Sequence, residues 1–424
     1  MSLSLSLIGS KLSGKSGILE LMDDLGKAMS QGGMLMLGGG NPASVPAMEK
    51  IWRTRMHEIL QSGRDFEVML GNYDTPQGRP KFISALVQLF NSQYGWNITE
   101  KNIAITNGSQ SGFLFLFNML AGEFANGKKK KILVPICPEY IGYADQGLCE
   151  NLFLAGKPLI KEIAKHEFHY TVDFANLPVD ESIAAIALSR PTNPTGNVMS
   201  DEEIEKLSKI AKDNKIFLCI DNAYGAPFPN AIFGKASQPW GDHIIHSFSL
   251  SKIGLPGART GIIIANEEIA KAISSINAIT SLANTNVAQE IVAPLISSGE
   301  IIELTKSAIT PFYHERLLQA QEWCREFFPD NLPYSFHTCG GAFFLWLWCK
   351  DLPITSKELY ERLKQRKTIV VPGNYFFFGM QEPWKHTDEC IRMNYSQSPE
   401  VVKEGLKIVA EEVASAYGAS ALTC

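Results

Sequence analysis

Short apolar runs rich in β-branched residues alternate through the middle of the chain with segments of helical periodicity. The runs at 103–106, 132–136, 183–189, 216–221, 244–248 and 261–265 are each bounded by turn or helix signals, which predicts strands. Their alternation with helices predicts a mostly parallel central sheet flanked by helices, an α/β arrangement. Asn107-Gly108-Ser109 turns into a predicted helix over 110–121. Another helix is predicted to open at Ser200, because Glu203 three residues on completes a capping box. The flanks differ. Residues 1–45 read as an extended arm with a turn at Gly38-Gly39-Gly40-Asn41-Pro42. After about 310, a long helix to 327 precedes a strand at 340–346, then helix, strand and a final helix from 399. The predicted organisation is an arm (1–45) contributing to the small domain, a large α/β domain (46–310) and a smaller α+β domain (311–424).

Length supports that division, since 424 residues exceed one small core. Hydrophobic content of 45% with 20% charged residues is ordinary for a globular enzyme. Lys+Arg number 39 against 44 Asp+Glu, a net charge of −5, so a nucleic-acid partner is not expected. The basic run 128–131 reads as a solvated loop between a helix-like segment and a strand. The eight cysteines are scattered without a C-x-x-C pair, which predicts reduced buried thiols and a cytoplasmic setting. Residues 1–9 lack a charged n-region, and no apolar run approaches the ~20 residues of a membrane helix, so no membrane association is expected. The eight histidines form no metal-like cluster, and no metal is expected; His243 and His246, three apart in a strand, should face opposite sides.

In an open parallel sheet, ligands bind beyond the carboxyl ends of the strands. Behind the predicted strands stand Gly108-Ser109-Gln110, Tyr140, Asn193, Asp221 with Tyr224, and Ser249-Leu250-Ser251-Lys252. With T-N-G-S-Q at 106–110 go P-E-Y-I-G-Y at 138–143, N-P-T-G at 193–196, D-N-A-Y at 221–224, S-x-S-K-x-x-L-P-G-x-R at 249–259 and I-R-M-N-Y at 391–395. In this order and spacing the set resembles the class I/II aminotransferases, pyridoxal-phosphate-dependent enzymes of fold type I, from the Gly38–Pro42 turn to Arg392. The segments L-G-G-G-N-P, N-Y-D-T-P-Q-G, P-E-Y-I-G-Y-A-D and S-L-S-K-I-G-L-P-G are similar to the bacterial branch that exchanges amino groups between valine and pyruvate.

The resemblance implies a role for each position. Lys252 would hold pyridoxal phosphate as a Schiff base and then act as general acid–base, which requires a neutral amine; burial near cations supplies one. Asp221 would keep the pyridine nitrogen protonated so that the ring accepts electrons. Asn193 and Tyr224 would bond its 3′ oxygen. Backbone N–H groups of Gly108 and Ser109 would receive the phosphate at a helix start, with Gln110, Ser249 and Arg259 adding donors. Tyr140 would stack on the ring. Tyr73 would reach the phosphate held by a neighbouring subunit, making the working unit a homodimer with shared sites. Arg392 would grip the substrate α-carboxylate, close to backbone at Gly40 and to Asn193.

No arginine lies between Arg259 and Arg316, where dicarboxylate-preferring relatives carry a second one. The expected substrates are therefore small or apolar amino acids and 2-oxo acids, with L-valine + pyruvate ⇌ 3-methyl-2-oxobutanoate + L-alanine leading. Another neutral amino donor, or a lyase on the same fold, stays open. The aromatic run 374–378 stands between two readings, a wall of an apolar pocket or part of the small-domain core.

Overall fold

Alternate residues of the central strands enter two different cores, one on each face of a single sheet. In the strand Ile103–Thr106, Ile103 and Ile105 join one cluster and Ala104 the other. Ile262 and Ile264 against Ile263 repeat the pattern in Gly261–Ile264. Successive side chains of a strand point to opposite faces, so a sheet covered on both sides needs the unbroken apolar runs seen in the sequence.

The computed structural model describes residues 4–14, 16–17, 19–20, 22–24, 26 and 32–418. Its strands are β1 (Leu35–Met36), β2 (Ile103–Thr106), β3 (Gly122–Glu123), β4 (Lys129–Val134), β5 (Phe153–Ala155) and β6 (Leu159–Ala164). There follow β7 (Glu167–Thr171), β8 (Ile183–Ser189), β9 (Phe217–Asp221), β10 (Ile244–Ser249) and β11 (Gly261–Ile264). The C-terminal part adds β12 (Tyr334–His337), β13 (Phe344–Cys349), β14 (Thr368–Ile369), β15 (Val371–Pro372) and β16 (Cys390–Asn394). The central sheet runs β2-β11-β10-β9-β8-β4-β3, with β5 also on β4. From β10 through β9, β8 and β4 to β5 every pairing is parallel. β11 alone reverses the interior of the sheet, antiparallel to both β10 and β2.

A second sheet runs β15-β16-β13-β12-β7-β6. Its last two strands are a mid-chain hairpin within the expected large domain, and β7 pairs parallel with β12. The helices Thr310–Phe327 and Pro399–Ala416 cover this part of the chain. Among the described residues no helix is long and apolar enough to cross a membrane.

Several local expectations need correction. The N-terminal arm is not extended throughout: Leu7–Leu12 is a helix, Ser6 accepting from the Gly9 N–H at its start. Its strand β1 pairs parallel with β14. The basic run is not a loop, because Lys129, Lys130 and Lys131 form the first half of β4 and pair with β3 and β8. Lys129 is exposed and Lys130 and Lys131 are half-buried, whereas Ile132 to Val134 are buried. The strand expected at 340–346 begins only at Phe344, since Gly340 and Gly341 spend their N–H groups on the Gly196 carbonyl. The capping box at Ser200 and Glu203 forms as expected. The aromatic run resolves as core: Phe376 and Phe377 pack on Trp346.

Candidate active site

Register decides what the strand ends place side by side. Ser189 stands opposite Asp221, and Asp221 opposite Ser247. Ser249 stands opposite Gly261, and Gly261 opposite Thr106. The carboxyl ends of β8, β9, β10 and β2 therefore form one row, and the loops that follow enclose one cavity above it. A Cβ on Gly261 would stand 2.4 Å from the Ser109 nitrogen, so glycine lets the next helix start close against the sheet.

Lys252 extends into this cavity from the turn after β10, and its amine donates to the Gly40 carbonyl at 2.7 Å. Burial lowers the ammonium's pKa from 10.5 to about 8, the charges of Arg392 and Arg259 push it the same way, and Asp221 opposes them. A protonated amine loses water and meets two cations, so the neutral, nucleophilic form gains ground near neutral pH. Asp221 closes β9 and is 5% exposed. Burial raises it to about 6, against a hydrogen bond from the Tyr143 hydroxyl at 2.5 Å, another from the Ala223 N–H at 3.0 Å, and the charge of Lys252.

One end of the cavity suits an anion. Gly108 precedes the helix Ser109–Leu120 at φ +89°, and a Cβ there would stand 2.1 Å from Nη2 of Arg259. Only glycine permits both that backbone and that approach. The first N–H groups of the helix have no carbonyl ahead of them and point along the positive end of its dipole. Ser109, Ser249 and Arg259 line this end. Gln110 lines it too, with its amide nitrogen donating to the Gly142 carbonyl at 2.9 Å.

At the other end Arg392 of β16 is 2% exposed. It donates to Asn193 Oδ1 at 2.8 Å and to the Gly38 carbonyl at 2.6 Å, while among the described residues its buried Nε has no partner. Tyr140 and Tyr224 add aromatic surface to the wall, and Lys252's amine lies 5.5 Å from the Tyr224 ring centre. Tyr73 is not brought here. It stands 81% exposed on the surface.

Sequence reading passed over Tyr143, although it lies within P-E-Y-I-G-Y; as an apolar-looking helix position it carried no signal for a bond to a residue far along the chain. It also passed over Met22, Ile141 and Ala223 in the lining. His246, at 0% exposure, serves structure: it bonds the Asn222 side chain and the Pro239 carbonyl.

These residues fit pyridoxal phosphate. The glycine cradle, helix start and Arg259 suit a phosphate dianion, Asp221 suits a protonated ring nitrogen, and a neutral lysine suits an aldehyde. A family model for aminotransferase class I and II matches residues 33–409. The valine–pyruvate aminotransferase of Escherichia coli (strain K12) is 46% identical over 98% of this chain and 99% of that one. A provisionally named amino-acid aminotransferase from Psychrobacter arcticum 273-4 superposes with a TM-score of 0.95 at 42% identity, covering 98% of this chain and 100% of its own. The valine–pyruvate aminotransferase of Salmonella typhimurium LT2 does so with 0.88 at 44%, covering 95% and 100%.

Proposed function

The chain belongs to the class I and II aminotransferases, which depend on pyridoxal phosphate, and from that premise we propose that it transfers the amino group of L-valine to pyruvate, giving 3-methyl-2-oxobutanoate and L-alanine. One observation carries the reading: a single cavity gathers a lysine with a depressed pKa, a buried aspartate and two arginines, Arg259 at one end and Arg392 at the other. Pyridoxal phosphate, when bound, supplies the electron-withdrawing ring that makes a substrate Cα proton removable. Lys252 would hold that group and, as the free amine, would carry the proton at Cα. Asp221 would keep a proton on the ring nitrogen. The helix start at Gly108 and Ser109, with Gln110, Ser249 and Arg259, would bind the phosphate; Tyr140 would cover the ring, and Asn193 and Tyr224 would bond its oxygen. Arg392 and Asn193 orient the α-carboxylate beside Gly40.

For the side chain, the cavity offers Met22 and Ile141, and no arginine lies between Arg259 and Arg316 to meet a second carboxylate. The names of the relatives in Escherichia coli and Salmonella typhimurium point the same way.

In this reading the working unit is a homodimer that shares its sites. Tyr73, Leu70, Ile279 and Leu282 are exposed apolar side chains on neighbouring segments, tied by Asn286 to the Asn72 carbonyl and by Asn284 to Pro76. A second copy covering this surface would bring Tyr73 to a phosphate. The division into an arm (1–45), large domain (46–310) and small domain (311–424) goes with it, the mid-chain hairpin of β6 and β7 being lent to the small domain's sheet. The described cysteines are free thiols, mostly buried, which suits the cytoplasm.

The test is an amino-donor panel with pyruvate on purified protein, together with half-reactions. Valine alone should bleach the bound cofactor's absorbance and pyruvate should restore it, and Lys252→Ala should abolish turnover. Steady release of ammonia or CO₂, or near-wild-type turnover in Lys252→Ala, would overturn the proposal.

A further inference from the structure

Glu139 is a carboxyl group with 0% exposure, set in the loop between β4 and the helix Ile141–Ala144. Among the described residues it makes no ion pair, yet it is fully engaged. Oε1 accepts from the Tyr140 N–H at 2.7 Å and from the Ser189 hydroxyl, and Oε2 accepts from the Ser189 N–H at 2.8 Å. Its own N–H donates to the Phe376 carbonyl at 2.9 Å.

Two of these donors are backbone N–H groups, which cannot reverse, and they fall on different oxygens. A carboxylate satisfies both, whereas an amide would turn an NH₂ toward one of them. Burial lifts Glu139 to about 7 while its three donors pull it down. The titratable groups facing it are Asp221 from β9, Tyr143 from the following helix and Cys137 from its own loop; none is a cation. Burying an uncompensated charge is costly, and the donors alone offset it.

We propose that Glu139 is a positioning residue: its carboxylate ties Tyr140 to the end of β8 at Ser189 and sets a second negative charge behind Asp221. The tie joins the loop that presents Tyr140 to the strand whose continuation presents Asn193. Where Glu139 is ionised, its charge favours protonated groups in the cavity, among them those of the bound cofactor. This inference rests on the function proposed above and assigns that site a residue which touches neither cofactor nor substrate.

The experiment compares Glu139→Gln and Glu139→Asp in the cofactor-loaded enzyme, reading kcat/KM for valine and the pH midpoint of the bound cofactor's absorbance. Gln keeps the length but removes the charge and turns an NH₂ toward one backbone N–H: the midpoint should fall by about half a unit or more, and kcat/KM should fall with it. Asp keeps the charge and shortens the reach: the midpoint should stay while kcat/KM falls about tenfold. If Glu139→Gln does not fold, the Asp variant decides alone, since wild-type kcat/KM in it would remove the tie. An unchanged midpoint in a loaded Gln variant would overturn the charge effect. A wild-type protein that takes up no chromophore would remove the cofactor reading itself, and this inference with it, so the two failures are told apart.

Discussion

Arg392 Nη1 donates to Asn193 Oδ1 at 2.8 Å, joining β16 of the C-terminal sheet to the loop that follows β8 of the central one. The guanidinium lies 4.5 Å from the ring centre of Phe344 and 5.3 Å from that of Phe376. Aromatic faces and two fixed acceptors hold its plane, leaving the buried Nε without a partner among the described residues. A planar cation held this way is ready to take a carboxylate without reorganising.

Replacing Arg392 by Lys keeps the charge and loses the fork. We expect kcat/KM for valine to fall about 100-fold, ~3 kcal/mol of transition-state binding, with the cofactor's absorbance retained. Steady-state kinetics on the loaded variant check this, and an unchanged KM for valine would contradict the assignment.

Lys252 should capture pyridoxal phosphate with a pH dependence centred near 8. The sign follows from the shift: a value below the ordinary 10.5 means the neutral amine appears at lower pH, so capture speeds up as pH rises to about 8 and levels beyond it. Arg392→Gln removes a cation and should move the midpoint upward. Stopped-flow absorbance of cofactor-free protein mixed with pyridoxal phosphate measures both.

Tyr143→Phe removes the hydroxyl that stabilises the Asp221 carboxylate. Asp221 already sits at about 6, above the ordinary 3.8, so its charge is lost as pH falls through that region. The variant should lose it at higher pH still. We expect cofactor affinity to decline earlier on acidification, and kcat/KM at neutral pH to drop about tenfold. Cofactor titrations across pH decide it; superimposable curves for variant and wild type would rule the contribution out.

Gly108→Ala forces a side chain into a left-handed backbone and against Arg259. The cost should be about 1–3 kcal/mol in stability, with weaker cofactor binding because Arg259 must move. Thermal unfolding with and without pyridoxal phosphate separates the two effects, and a variant matching wild type in both would refute the cradle.

Local periodicity was enough for the central strands. β2 and β8 run over the expected residues, and β9, β10 and β11 depart by about a residue at one end, because a strand covered on both faces needs a continuous apolar run and a polar residue where it leaves the sheet. That rule also located Asp221 and Lys252. It failed at β4, where a basic stretch becomes strand because β3 and β8 offer partners that no nearby residue announces.

What the chain alone determined is therefore the set of elements and the polar groups at their ends, since both follow from neighbours a few positions away. Tertiary structure alone decided that the hairpin of β6 and β7 joins the C-terminal sheet, that Tyr143 meets Asp221, and that Glu139 lies buried with no cation among the described residues. Tyr73 shows the same limit from outside: its surroundings in a single chain are solvent. Pairings between distant residues depend on which surfaces exclude water together, and that is a property of the whole packing rather than of any stretch within it.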